Sequence, residues 1–336
     1  MANTPKSPPR TADPLGQGLP GAWTAITVAM VLAAYPLVMS AFGQDYYIGV
    51  GSRILIFALA ASGLNLALGY GGMISLGHAA FLGTGGYAVA VLAGGGLREA
   101  WIALPVAAAT AALAAFVIGA VSLRTRGVYF IMITLAFSKL FYYLAVSLPA
   151  FGGDDGLPLT ARSTLPGVSL GGDLTFYYFV LFAAGLAFVL LYRLTASRFG
   201  RALVAIRENE QRMAAIGYPV YRLKLAAFTL SGGLAGLAGG LLANLSLGVT
   251  PHVLTWQQSG ILMVMVILGG SGYFWGGLGG AAIFLLLDET ISEHTEHWNL
   301  VLGVLLLFIV LVAPNGVMSL RRARRSAAGA AQEDAR

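Results

Sequence analysis

Long apolar runs recur along the chain, separated by short polar stretches. Ten of them predict helices crossing a bilayer, near residues 23–42, 54–69, 79–96, 101–122, 128–149, 175–194, 223–246, 258–271, 277–291 and 298–313. A run of about 20 apolar residues matches about 30 Å of hydrocarbon. The eighth and ninth runs are short for that thickness and are expected to tilt little or to be broken. The pattern therefore predicts an all-α, polytopic membrane protein. Ten spans put both termini on one side of the membrane.

One polar island interrupts the pattern, Ser197–Lys224, "SRFGRALVAIRENEQRMAAIGYPVYRLK". On a helical period Leu203, Ile206, Met213 and Ile216 share one face, while Arg201, Arg207, Glu208 and Arg212 lie largely off it. Ser197 can cap the start of this helix and Gly217 can stop it. The expectation is one amphipathic helix between two spans, carrying enough exposed charge to dock on another protein. A membrane-surface helix held by anionic lipid is the alternative, and the interleaved Glu208 and Glu210 weigh against it.

Charge sorts in agreement with the ten-span count. Of 20 Lys and Arg, 16 fall on the side of the termini, and the opposite side collects most of the loop carboxylates. The positive-inside rule then makes both termini and the 197–224 loop cytoplasmic. A formal charge of +6 thus reflects membrane topology rather than nucleic-acid binding. The chain has no Cys, which excludes disulfides and thiolate metal sites. Glu293, His294, Glu296 and His297 form an acidic loop that is read as solvated rather than metal-binding. Residues 1–22 are predicted to be a disordered cytoplasmic tail, 23–313 a transmembrane domain with a cytoplasmic loop at 197–222, and 314–336 a basic cytoplasmic tail. The cluster Arg321–Arg325 is expected to rest on anionic lipid.

Two glycine-rich segments stand out. "GLNLALGYGGMISLGHAAFLGTGGYA" (63–88) carries Asn65, Ser75 and His78, and "LGGSGYFWGGLGGAAI" (268–283) looks related to it in the second half. Isolated glycines in spans usually let helices approach closely. Clusters of them predict broken or re-entrant backbone lining a protein-walled cavity, and paired breaks point to a transport pathway. Asn65, Ser75 and His78 are candidate pathway residues, with structural hydrogen bonding as the competing role for Asn65 and His78.

The absences narrow the mechanism. All 14 acidic residues fall in loops, tails or span ends, so no buried carboxylate offers proton or sodium coupling. No phosphate-binding glycine loop is present, so the chain supplies no nucleotide hydrolysis of its own. Lys139 is the one basic residue placed mid-span, where an isolated charge costs roughly 2.5–3.5 kcal/mol. It is expected to face another subunit's polar group, to snorkel, or to bias the pathway towards a carboxylate-bearing substrate.

Four stretches carry a family resemblance: the 63–88 segment; "LRTRGVYFIMITLAF" (123–137) with "FGGDDGL" (151–157); the 197–241 stretch ending "LSGGLAGLAGGL"; and "GILMVMVILGGSGYFWGGLGGAAI" (260–283). Together they resemble the M-type (LivM-like) permease subunit of branched-chain amino-acid ABC importers, in the family's order. The resemblance implies the ABC importer permease fold and a non-catalytic subunit of the bacterial inner membrane. The partners it implies are an H-type second permease, two cytoplasmic ATPases that bind ATP and Mg, and an extracytoplasmic substrate-binding protein. No cofactor is expected in this chain. The helix near 201–216 would be the coupling helix, with Arg201, Arg207, Glu208 and Asn209 as the candidate ATPase contacts. The family often holds Glu or Gln where this chain has Lys139, which leaves urea, short amides or aromatic acids beside branched-chain or other hydrophobic amino acids as substrates. Outside this class stand a secondary transporter, which needs a buried carboxylate or ion site, and a channel-like facilitator, which needs no ATP.

Overall fold

The computed structural model describes residues 22–165, 168–294, 297–312 and 316–317; the N-terminal tail, Glu296 and the Arg321–Arg325 cluster lie outside it. The described chain is almost wholly helical. The helices are α1 (Ala22–Ala41), α2 (Asp45–Asn65), α3 (His78–Gly94), α4 (Ala100–Ser122), α5 (Val128–Ser147), α6 (Asp173–Ala196), α7 (Arg198–Glu208), α8 (Glu210–Ala215), α9 (Val220–Ser246), α10 (Trp256–Gly269), α11 (Gly276–Ser292) and α12 (Trp298–Val312). All ten apolar runs form helices. Six helices among the described residues are long and apolar enough to cross a membrane: α1, α2 with the turn that extends it to Tyr70, α4, α5, α6 and α9. The remaining four are shorter. Breaks at the glycine segments truncate α3, α10 and α11, and α10 has only 14 residues, about 21 Å at 1.5 Å per residue.

Helix α9 is the axis of the bundle, packed against α4, α3 and α2; α2 in turn carries α11, α6 and α10. Small residues allow these approaches, as in membrane helix pairs generally. A Cβ on Gly236 would overlap Ala111 Cβ, and one on Gly239 would overlap the Leu82 carbonyl. The buried core runs through Leu59, Leu64, Phe81, Phe228 and Leu262. By contrast α1 is almost wholly exposed, and only Phe130, Thr134, Ser138 and Ala145 of α5 are buried.

Two ends of the bundle can be told apart. At one end α7 and α8 lie beside the terminus of α2 and the start of α9. At the other, Leu157–Pro158 pairs antiparallel with Gly248–Val249, closing the 148–172 loop onto the end of α9.

The polar island departs from the expected single helix. Asn209 (φ −155°, ψ 96°) divides it into α7 and α8. Ser197 caps α7 by accepting from Phe199 N–H at 3.1 Å, as expected. The second cap explains the division: Asn209 Oδ1 accepts from Arg212 N–H at 2.8 Å and starts a new helix. Gly217, at φ +89°, ends α8 in a Schellman turn, with Tyr218 N–H on Met213 O at 3.1 Å and Gly217 N–H on Ala214 O at 3.0 Å. Leu203, Ile206 and Met213 are buried, but Ile216, at the end of α8, is 64% exposed.

Candidate functional site

Both glycine segments break their helices. After Asn65, helix α2 widens into a π-helical turn, Leu66–Tyr70, and the chain then runs without regular structure to α3. Met73 N–H bonds Ala67 O at 2.9 Å, and Gly72 N–H bonds Leu68 O at 3.0 Å. Gly69 O is thereby left without the donor that an α-helix would bring to it. Between α10 and α11 the chain turns at Gly270 (φ +114°) and Gly272 (φ +83°), in a region that L side chains rarely adopt.

Asn65 joins the two breaks. Its Oδ1 accepts from Gly272 N–H at 2.9 Å and its Nδ2 donates to Tyr273 O at 2.8 Å. The residue is 2% exposed, and its amide satisfies the Gly272 N–H and shares Tyr273 O with Gly276 N–H of α11. Arg207 of α7 reaches the same place: its Nη1 donates to Gly69 O. A Cβ on Gly72 would lie 2.8 Å from Arg207 Cγ, and one on Gly272 would lie 3.1 Å from Arg207 Nη1.

A second polar junction lies deeper. His78, the first residue of α3, is fully buried with Nε2 at 2.8 Å from Ser231 Oγ. The Ser231 hydroxyl proton is engaged by Gly63 O. His78 therefore donates through Nε2–H, and its buried Nδ1 has no partner among the described residues. Phe81 and Phe228 stand edge-on to the imidazole at 5.4 and 5.5 Å. Ser231 is the twelfth residue of the 27-residue α9, so α3 starts near half-depth. Helix α10 starts there too, since Ser259 Oγ accepts from Ala79 N–H at 2.8 Å. The first turns of two short helices thus meet inside the bundle. Ser75, 1% exposed, accepts from Gly77 N–H at 3.1 Å and shapes the approach to α3.

Lys139 sits apart from these groups. It is half-buried on α5, with Nζ 5.6 Å from the Tyr142 ring centre, and no carboxylate pairs with it among the described residues. Its neighbour Ser138 donates to Leu254 O at 2.9 Å, two residues before α10 begins. The four α7–α8 candidates Arg201, Arg207, Glu208 and Asn209 are all exposed; Asn209 also caps α8 and Arg207 Nη1 also donates to Gly69 O. Glu210, not singled out as a contact by the charge pattern, pairs with Lys224 at 2.6 Å and Arg126 at 3.5 Å, tying α8 to α9 and to the α4–α5 turn. The hydroxyls of Thr134, Ser138, Ser231 and Ser259 also escape a reading based on charge. For Thr134 and Ser138 the signal is their i, i+4 spacing on one face of α5; Ser231 and Ser259 carry none.

The family model described as "Branched-chain amino acid transport system / permease component" matches residues 46–311. The chain belongs to this permease family. It is similar to the high-affinity branched-chain amino-acid permease protein LivM of Escherichia coli (strain K12), 28% identical over 321 aligned positions that cover 88% of this chain and 75% of that protein. The LivM protein of Salmonella typhimurium (strain LT2) gives the same figures. The autoinducer 2 import system permease protein LsrC of Salmonella paratyphi B is 26% identical, covering 86% of this chain and 84% of that protein. No solved structure matches the chain. Family membership and the apolar helices make it a multi-pass membrane permease, and relatives of this kind are transport subunits.

Proposed function

We propose that the chain is the membrane-spanning permease subunit of an ATP-driven importer for branched-chain or other hydrophobic amino acids, with hydrolysis supplied by separate ATPase subunits. The observation that carries this reading is the capped α7–α8 pair at one end of a bundle of family permease helices. Its apolar side is buried and its Arg201 and Glu208 are left exposed for a partner. A secondary transporter has no use for such a docking element.

Ten crossings are the topology this reading adopts. The alternation of contacts supports it: α7 meets the end of α2 and the start of α9, while α6 begins at the opposite end, where Arg162 pairs with Asp173 at 2.7 Å. With Arg on the α7 side, that side is cytoplasmic and the 148–172 loop faces the substrate-binding protein. A second permease and two ATPases complete the assembly.

The path for the solute runs along the half-depth junction of α3 and α10, past His78 and the Thr134–Ser138 face of α5, with Lys139 beside that face. An unpaired ammonium at that depth favours a substrate with a carboxylate. The likeness to autoinducer 2 import permeases favours a second reading within the same class, a small polar solute that is not an amino acid. Uptake into proteoliposomes of the assembled importer, compared for leucine, urea and a simple aromatic carboxylate, tests the substrate. Leucine uptake supports the first reading; uptake of none of the three with the binding protein present contradicts it.

A further inference from the structure

The break after α2, the break after α10 and helix α7 meet at one guanidinium. Gly69 O is an orphan acceptor at the carboxyl end of α2, where helix dipoles leave partial negative charge. Gly272 lies just past the carboxyl end of α10, close to the same guanidinium. Arg207 Nη1 donates to the first, and a Cβ on the second would lie 3.1 Å from it. Asn65 holds the two backbones together through Gly272 N–H and Tyr273 O. We infer that Arg207 is a positioning residue for transport rather than an ATPase contact: it bonds α7 to the first break, and Asn65 carries that link to the second, so that a push on α7 moves the two breaks together.

The chemistry suits this role. A charge-assisted hydrogen bond to a backbone carbonyl is roughly twice as strong as a neutral one, and the planar fork fixes direction as well as distance. Glycine at 72 and 272 leaves room for the side chain: a Cβ at 72 would meet Arg207 Cγ at 2.8 Å. The apolar side of α7 is held by burial of Leu203 and Ile206, so the helix and its arginine move as one body. Coupling through a bistable element requires such a physical link between the two sites. Asn65 extends the link to the second break, through Gly272 N–H and Tyr273 O.

The inference rests on the importer reading for its purpose, and the test separates the two. Hydrogen exchange is measured on the full-length chain in lipid nanodiscs, alone and with its ATPases, for wild type, Arg207→Gln, Arg207→Lys and Gly272→Ala, with Arg201→Gln as control. Arg207→Gln raises exchange in both 69–77 and 270–275 by about tenfold, the effect of losing one charge-assisted bond. Gly272→Ala loosens 270–275 through its own backbone strain and raises exchange in 69–77 by displacing the guanidinium, Arg207→Lys gives a smaller rise, and Arg201→Gln gives none. In the assembled importer Arg207→Gln retains the ATPases and their hydrolysis while transport per ATP falls about tenfold, within the usual range of coupling between sites. Unchanged exchange in the two segments overturns the inference, and loss of ATPase binding with unchanged exchange makes Arg207 a docking residue instead. Uptake by wild type without ATP defeats the importer reading and leaves the exchange comparison to decide the link.

Discussion

Asn65 and Tyr273 are joined by a 2.8 Å hydrogen bond between a side chain of the first glycine-rich segment and a carbonyl of the second, 208 residues away. The same amide accepts from Gly272 N–H at 2.9 Å. Broken backbone inside a membrane protein survives only where its polar groups are satisfied internally. This one side chain, from the first segment, does so for a donor and an acceptor of the second. Asn65→Ala therefore leaves the Gly272 N–H unpaired, while Tyr273 O keeps Gly276 N–H at 3.1 Å, and destabilises the fold by about 1–3 kcal/mol. Asn65→Asp keeps the acceptor but sets a carboxylate against Tyr273 O, and is no better. The midpoint of thermal unfolding in detergent falls for both; an unchanged midpoint contradicts the role.

The His78–Ser231–Gly63 chain makes a related prediction. Ser231→Ala removes the acceptor for Nε2–H and the donor for Gly63 O together. The expected loss is about 1–3 kcal/mol, with faster hydrogen exchange at the start of α3. Exchange confined to wild-type rates there would show that the imidazole is held by its aromatic neighbours alone.

Glycine on two helices has opposite consequences. At Gly236 of α9 a Cβ overlaps Ala111 Cβ and lies 2.7 Å from Ala107 O, so Gly236→Ala costs about 1–3 kcal/mol of overpacking. At Gly185 of α6 nothing lies within 4 Å of the added atom. Gly185→Ala gains the helix preference of alanine over glycine, about 0.5–1 kcal/mol. Unfolding midpoints of the two variants on either side of wild type are the expected outcome, and a fall at Gly185 would contradict it.

Asn209 separates α7 from α8 by capping the second helix. Asn209→Ala loses that cap, worth about 1 kcal/mol. Local exchange across 210–216 rises, while α7, capped by Ser197, keeps its protection. Equal loosening of both helices would mean that they fold as one unit.

Lys139 carries the substrate prediction. Lys139→Gln keeps a polar group at half-depth and removes the charge. Uptake of a carboxylate-bearing solute falls relative to a neutral one of similar size, by about 5- to 150-fold if the ammonium is coupled to the carboxylate. An unchanged preference refers the charge to a neighbouring subunit.

The helices were legible in the sequence because hydropathy and length are local properties. The apolar pattern starts α2 after Arg53, whereas the helix begins at Asp45. The guanidinium lies 6.0 Å from the Phe57 ring centre one turn on, so the arginine is carried within the helix. Both glycine clusters signal broken backbone, and the breaks stand where the clusters are. The partners across them are not legible, because Asn65 binds main-chain atoms and main chain has no sequence signature. The division at Asn209 was hidden by the apolar stripe, which reads evenly through it. The local clue is Asn itself, whose side chain competes for backbone donors. Arg207 shows the limit from the other side: a charge off the apolar stripe reads as a solvent contact, yet a carbonyl released by a π-helical turn 138 residues earlier claims it.

In the proposed importer, ATP hydrolysed by separate subunits drives solute through this chain by way of α7 and α8. The direct test is uptake in proteoliposomes containing the chain with its ATPases, second permease and binding protein, with and without ATP, for wild type and Glu208→Arg. The account predicts uptake that requires ATP and falls in the variant while the complex stays assembled. Uptake that proceeds equally without ATP would contradict it and leave a facilitator or secondary transporter in its place.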